Sequence, residues 1–121
     1  TMTETSGKRL RVYQQKLHKS LEAQLAFINT VEDKYDILCI QEPHWDFWMT
    51  TRALRTWTVV RPSVELGEGK KYRAIIMVHK RMVTGSWERM NVESKDVVAV
   101  KVKSEGLTVF VYNIYNACEH N

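Results

Sequence analysis

Two cysteines, two prolines and five glycines in 121 residues already exclude several kinds of protein. Cys39 and Cys118 show no metal-ligand spacing. A pair this sparse reads as two reduced thiols, neither a disulfide scaffold nor a zinc site. The four histidines, His18, His44, His79 and His120, form neither an HxxxH nor an HExxH pattern, so each reads as a surface or loop residue ahead of a zinc ligand. No GxSxG, P-loop or GxGxxG occurs, which sets aside the common serine-hydrolase, nucleoside-triphosphate and dinucleotide chemistries. No apolar run approaches the roughly 18 residues of a membrane span, and "TMTETSGKRL" lacks the apolar centre of a signal peptide. The expectation is a soluble, intracellular chain, cytoplasmic or nuclear, with no membrane partner.

Acidic residues are the scarcer charged class. Lys and Arg total 18 against 14 Asp and Glu, a formal charge of +4, which mildly favours polyanionic partners without selecting one. Hydrophobic residues at 44% and charged residues at 26% are ordinary globular usage. The length suits one domain. Residues 1–8 read as a flexible N-terminus and 9–121 as a single domain.

Within that domain "RLRVYQQKL" alternates, Leu10, Val12 and Gln14 against Arg11, Tyr13 and Gln15, the period of a strand. Ser20 is placed to cap a helix over "LEAQLAFINTV", with Leu21, Leu25 and Ile28 at helical spacing and Glu22 in the first turn. The unbroken run "ILCI" suits a strand covered on both faces. Strand, helix and strand together predict a parallel βαβ unit. Further strands are predicted at 57–61 and 72–79, then a hairpin from "DVVAVKV" and "LTVFVYNIY", turned at "KSEG" where Gly106 can take positive φ.

Pro43 cannot donate a ladder hydrogen bond, so the strand "ILCI" should end near Glu42. In open α/β sheets ligands bind beyond the carboxyl ends of the strands, so Glu42 is the first candidate site residue. Its carboxylate could hold a hard divalent ion; the plainer alternative is a solvated turn residue. The following loop holds Trp45, Phe47 and Trp48 beside Arg52 and Arg55. These could stack on bases and clamp phosphates, although a small satellite core is the commoner use of such a cluster.

The order of "LRVYQQKLHKS", "YDILCIQEPHWDF", "YRAIIMVHKR", "DVVAVKV" and "FVYNIYNACEHN" resembles the endonuclease/exonuclease/phosphatase superfamily, most closely the apurinic-type endonuclease domains of non-LTR retrotransposons as found in fungi. The resemblance runs through nearly the whole chain and rests chiefly on "QEP" after one strand and "NIYN" after a later one. It implies an α/β fold, one half of a four-layer α/β sandwich, mostly β-sheet with a flanking helix. It also implies phosphodiester hydrolysis with Mg or Mn.

By this resemblance Glu42 matches the metal-binding glutamate, and Asn113 and Asn116 fall in a phosphate-contacting segment, with Tyr115 expected to point the other way. Lys16 and His18 stand where relatives carry an asparagine pair, and a lysine there would compete with the cation for Glu42. The family's Asp-x-Asn motif and final Asp-His pair belong to a second half that this chain does not reach. A half of the family fold is expected to contribute one sheet with its inner face open, to be covered in a homodimer packed sheet on sheet.

The reading is therefore an endonuclease-like, nucleic-acid-binding domain, on DNA or RNA, with weak or no metal-dependent hydrolysis. Two alternatives are a homodimer that rebuilds an active Mg- or Mn-dependent site, with His18, His44 or His120 replacing the missing histidine, and a module that pairs with a full-length relative.

Overall fold

The computed structural model describes residues 10–31, 34–45, 56–67, 70–104 and 106–116. Its elements run β1 (Val12–Lys16), α1 (Leu21–Val31), β2 (Ile37–Gln41), β3 (Trp57–Val60), β4 (Ala74–His79), β5 (Trp87–Arg89), β6 (Val97–Ser104) and β7 (Leu107–Ile114). The strands form two sheets, ordered β1-β2-β4-β3 and β5-β6-β7.

The expected βαβ unit is present: β1 pairs parallel with β2, Val12 opposite Ile37 through Lys16 opposite Gln41. The helix between them starts at the expected cap, the Ala23 N–H donating to Ser20 Oγ at 3.1 Å. Its buried stripe differs from the expected one. Gln24, Ile28 and Val31 are buried, whereas Leu21 and Leu25 are only half-buried. A polar residue can take the inner position because Gln24 Oε1 accepts the His44 N–H at 2.9 Å, which offsets the cost of burying the amide.

Strands β2 and β4 are buried along almost their whole length because both faces are covered. On one side Leu38, Ile40, Ile75 and Met77 pack with Ile28 and Val31 of α1. On the other, Ile37, Cys39, Ile76 and Val78 meet Val98, Val100, Val102 and Val111 of the second sheet. The expectation of a single sheet with an open inner face is thereby corrected: the chain's own β5-β6-β7 sheet supplies the cover. The ground on which a homodimer was expected disappears with it.

The β6–β7 hairpin matches the expectation, with Ser104 opposite Leu107 at its tip and Gly106 at φ 79°, a conformation a side chain would strain. The short strand β5 has no counterpart in the sequence reading.

One amide joins the two sheets at the carboxyl end of β2. Asn113, 2% exposed, donates from Nδ2 to the carbonyls of Ile40 and Ile75 at 2.9 and 2.8 Å. Beside it, Gln41 Nε2 donates to the Ile114 carbonyl at 2.8 Å. Both contacts fix the end of β7 against the strand end that carries Glu42.

Candidate nucleic-acid interface

Glu42 follows β2 directly and its backbone sits at φ 55°, in the left-handed region. A non-glycine residue there costs on the order of 1–2 kcal/mol, so the surroundings must impose the conformation. They do so through the main chain. The Glu42 N–H donates to the Arg73 carbonyl at 2.8 Å, and the Glu42 carbonyl accepts the Lys19 N–H at 2.8 Å. Lys19 and His18 are themselves left-handed, at φ 64° and 54°. The β1–α1 turn and the end of β2 are thus two strained turns clamped to each other.

This clamp brings Lys16, His18 and Glu42 together, as the sequence reading placed them. Lys16 Nζ lies 3.8 Å from Glu42 Oε2 and His18 Nδ1 lies 3.6 Å from Oε1. The shortest contact is from Tyr115, whose hydroxyl donates to Oε2 at 2.9 Å. The expectation that Tyr115 points away is corrected. Alternation past β7 puts Tyr115 on the same side as Asn113, and the Arg73 guanidinium lies over its ring at 5.0 Å from the centroid. Asn113, by contrast, spends its amide nitrogen between the sheets. Asn116 is exposed just beyond β7. Arg52, Arg55 and His120 lie outside the described residues, as do Phe47 and Trp48. Trp45 is buried, donating from Nε1 to the Tyr72 carbonyl at 2.8 Å, which is the core use of that aromatic.

Glu42 also borders a cleft of about 380 Å³, lined by Lys19, Pro43, His44, Trp45, Lys71, Tyr72 and Arg73. Three of those side chains are cations, and none of Lys19, Lys71 or Arg73 is ion-paired to a carboxylate among the described residues. Sequence reading missed Lys71 and Arg73. The basic "KKYR" after a glycine-containing turn and just ahead of β4 was the available signal.

Magnesium is bound through one or two carboxylates with waters completing an octahedron of oxygens, and among the described residues Glu42 is the one carboxylate that lines this cleft. The single carboxylate already faces an ammonium. A divalent ion on Glu42 would meet the Lys16 ammonium as a like charge.

Comparison with solved structures gives the fold its place. The endonuclease domain of TRAS1, a telomere-specific non-LTR retrotransposon, superposes with a TM-score of 0.61 at 20% identity, over 93% of this chain and 48% of that one. The fold is similar to part of that endonuclease domain. The chain spans about half the length of its structural neighbour, 48%, and the α/β architecture expected from the resemblance is borne out. No family model and no curated protein matches the chain. No helix among the described residues is long and apolar enough to cross a membrane.

Proposed function

We propose that the chain is an endonuclease-like domain of retrotransposon origin that binds nucleic acid at the Glu42 cleft, with weak or no phosphodiester hydrolysis of its own. The observation that carries this reading is the juxtaposition, in an endonuclease-like fold, of a strained and clamped glutamate with a cleft whose other charged lining residues among those described, Lys19, Lys71 and Arg73, are cations. Guanidinium and ammonium groups recognise phosphate oxygens by charge-assisted hydrogen bonds. Tyr72 and His44, also in the lining, add flat rings to those charges, as in sites where bases stack.

The test pairs a binding and a cleavage assay. Fluorescence anisotropy with labelled single-stranded DNA and RNA, across a salt series, should show binding that weakens steeply with salt. Supercoiled plasmid and single-stranded RNA incubated with Mg, Mn or chelator should show little or no cleavage. Salt-insensitive binding, or none, contradicts the reading. Metal-dependent cleavage abolished by Glu42→Gln contradicts its second clause.

That last outcome would favour a second reading, an active nuclease assembled by a homodimer. One observation speaks for it: on β7 the outward residues Phe110, Tyr112 and Ile114 are each about half exposed, an apolar stripe on the outer sheet. Light scattering after size exclusion decides between a monomer and that dimer.

A further inference from the structure

We infer that the Lys16 ammonium stands in for a divalent cation at Glu42, so that the cleft takes a phosphate group directly on its own cationic side chains and independently of metal. The inference rests on the reading of the cleft as a nucleic-acid site and adds the manner in which the phosphate is held.

Its ground is the charge arrangement. A metal-dependent phosphate site needs a carboxylate open to the cation, so that the cation bridges carboxylate and phosphate. Here the carboxylate faces a cation of the protein itself. Lys16 sits 3.8 Å from the Glu42 carboxylate, Lys19, Lys71 and Arg73 line the adjoining cleft, and Glu42 is the one acidic residue among the described residues of its lining. Among the described residues, four cations therefore gather at or beside the cleft with a single carboxylate, whose Oε2 also accepts the Tyr115 hydroxyl. An incoming phosphate meets a positive site without a bridging ion. A metal ion meets one carboxylate already paired.

The same geometry explains why Lys16 can hold this place. It is the last residue of β1, opposite Gln41 in the parallel register, so its side chain leaves the sheet edge level with the start of the Glu42 turn. His18, two residues on, approaches the other carboxylate oxygen at 3.6 Å. The pair of side chains thus brackets the carboxylate.

Two measurements on the intact chain test this. In the first, binding of a fluorescein-labelled single-stranded oligonucleotide is followed in EDTA and in Mg²⁺; affinities within about twofold are expected, and a loss of roughly tenfold or more in EDTA overturns the inference. In the second, Mn²⁺ binding is read from the disappearance of the free-ion electron paramagnetic resonance signal. Lys16→Asn should bind Mn²⁺ at least about tenfold more tightly than the unaltered chain, and Lys16→Asn combined with Glu42→Gln should lose that gain. Lys16→Met is the second variant if circular dichroism shows the first unfolded, and no gain in either overturns the inference. Mn²⁺ binding by the unaltered chain that Glu42→Gln abolishes overturns it as well. If the oligonucleotide binds under neither condition, the nucleic-acid reading fails on its own, while the Mn²⁺ series still decides the role of Lys16.

Discussion

Strand β2 has a carboxylate at each end, Asp36 just before it and Glu42 just after it, and the two are held in different ways. Asp36 is clasped. Its Oδ2 accepts the Arg11 N–H at 2.9 Å, and its Oδ1 accepts Arg81 Nη2 at 2.8 Å and Arg81 Nε at 3.2 Å. Burial pushes the Asp36 carboxyl up, but the hydrogen bonds from Arg11 and Arg81 together outweigh it and hold the group below its ordinary value. Glu42 has one short hydrogen bond, a Lys16 ammonium at 3.8 Å and a His18 ring nitrogen at 3.6 Å, on a backbone that costs energy to hold. Short charge-assisted bonds on an unstrained backbone are what a structural carboxylate needs. Loose contacts on a strained turn beside a cationic cleft are what a binding site retains.

The largest expected effect is at the clasp. Asp36→Ala should lower stability by about 2–3 kcal/mol at neutral pH, read from urea denaturation. The sign with pH follows from the depressed value. The contribution is fully present above the unfolded-state pKa of about 3.9 and is lost as pH falls through the lower folded-state value. The gap between Asp36→Ala and the unaltered chain should therefore close in acid. A gap constant to pH 2 would remove the ionic clasp from the account.

At the other end the backbone, not the carboxylate, should dominate. Glu42→Gly should be more stable than Glu42→Ala by about 1 kcal/mol, because glycine takes the left-handed region without penalty. Equal stabilities would mean that the turn relaxes when the side chain is cut. Tyr115→Phe should cost no more than about 1 kcal/mol, a smaller loss than at Asp36, and a larger one would make Tyr115 a structural residue first. Between the two ends, Cys39 should do nothing at all. Burial pushes its thiol up to about 11, so with Cys118 replaced by serine the folded chain should resist alkylation at pH 8, and rapid labelling would show that β2 opens.

These contrasts also show which parts of the molecule a sequence can disclose. The end of β2 was readable because Pro43 cannot extend a ladder, and α1 because Ser20 caps it; both are signals within a few residues. The short strand β5 was not, since "WER" is too brief for a period and two of its three residues are exposed. The second sheet's place over β2 and β4 was missed because alternation states that a face is buried and not by what. In the site, Glu42 was legible as a carboxylate at a strand end that matches a family motif, and Lys16 and His18 as departures from that pattern. Tyr115 and the cleft cations were not, because their approach to Glu42 depends on side-chain directions past strand ends and on segments dozens of residues apart in the chain.

The most direct test of the central claim is the salt dependence of single-stranded oligonucleotide binding, measured for the unaltered chain and for Lys19→Ala/Lys71→Ala. Both lysines are exposed and lie outside the core, so stability should move by less than about 0.5 kcal/mol per substitution. The account predicts weaker binding and a log–log slope smaller by about 1.4, roughly 0.7 for each lost phosphate contact on a single strand. Unchanged affinity and slope would place any nucleic acid elsewhere and contradict the assignment of the Glu42 cleft.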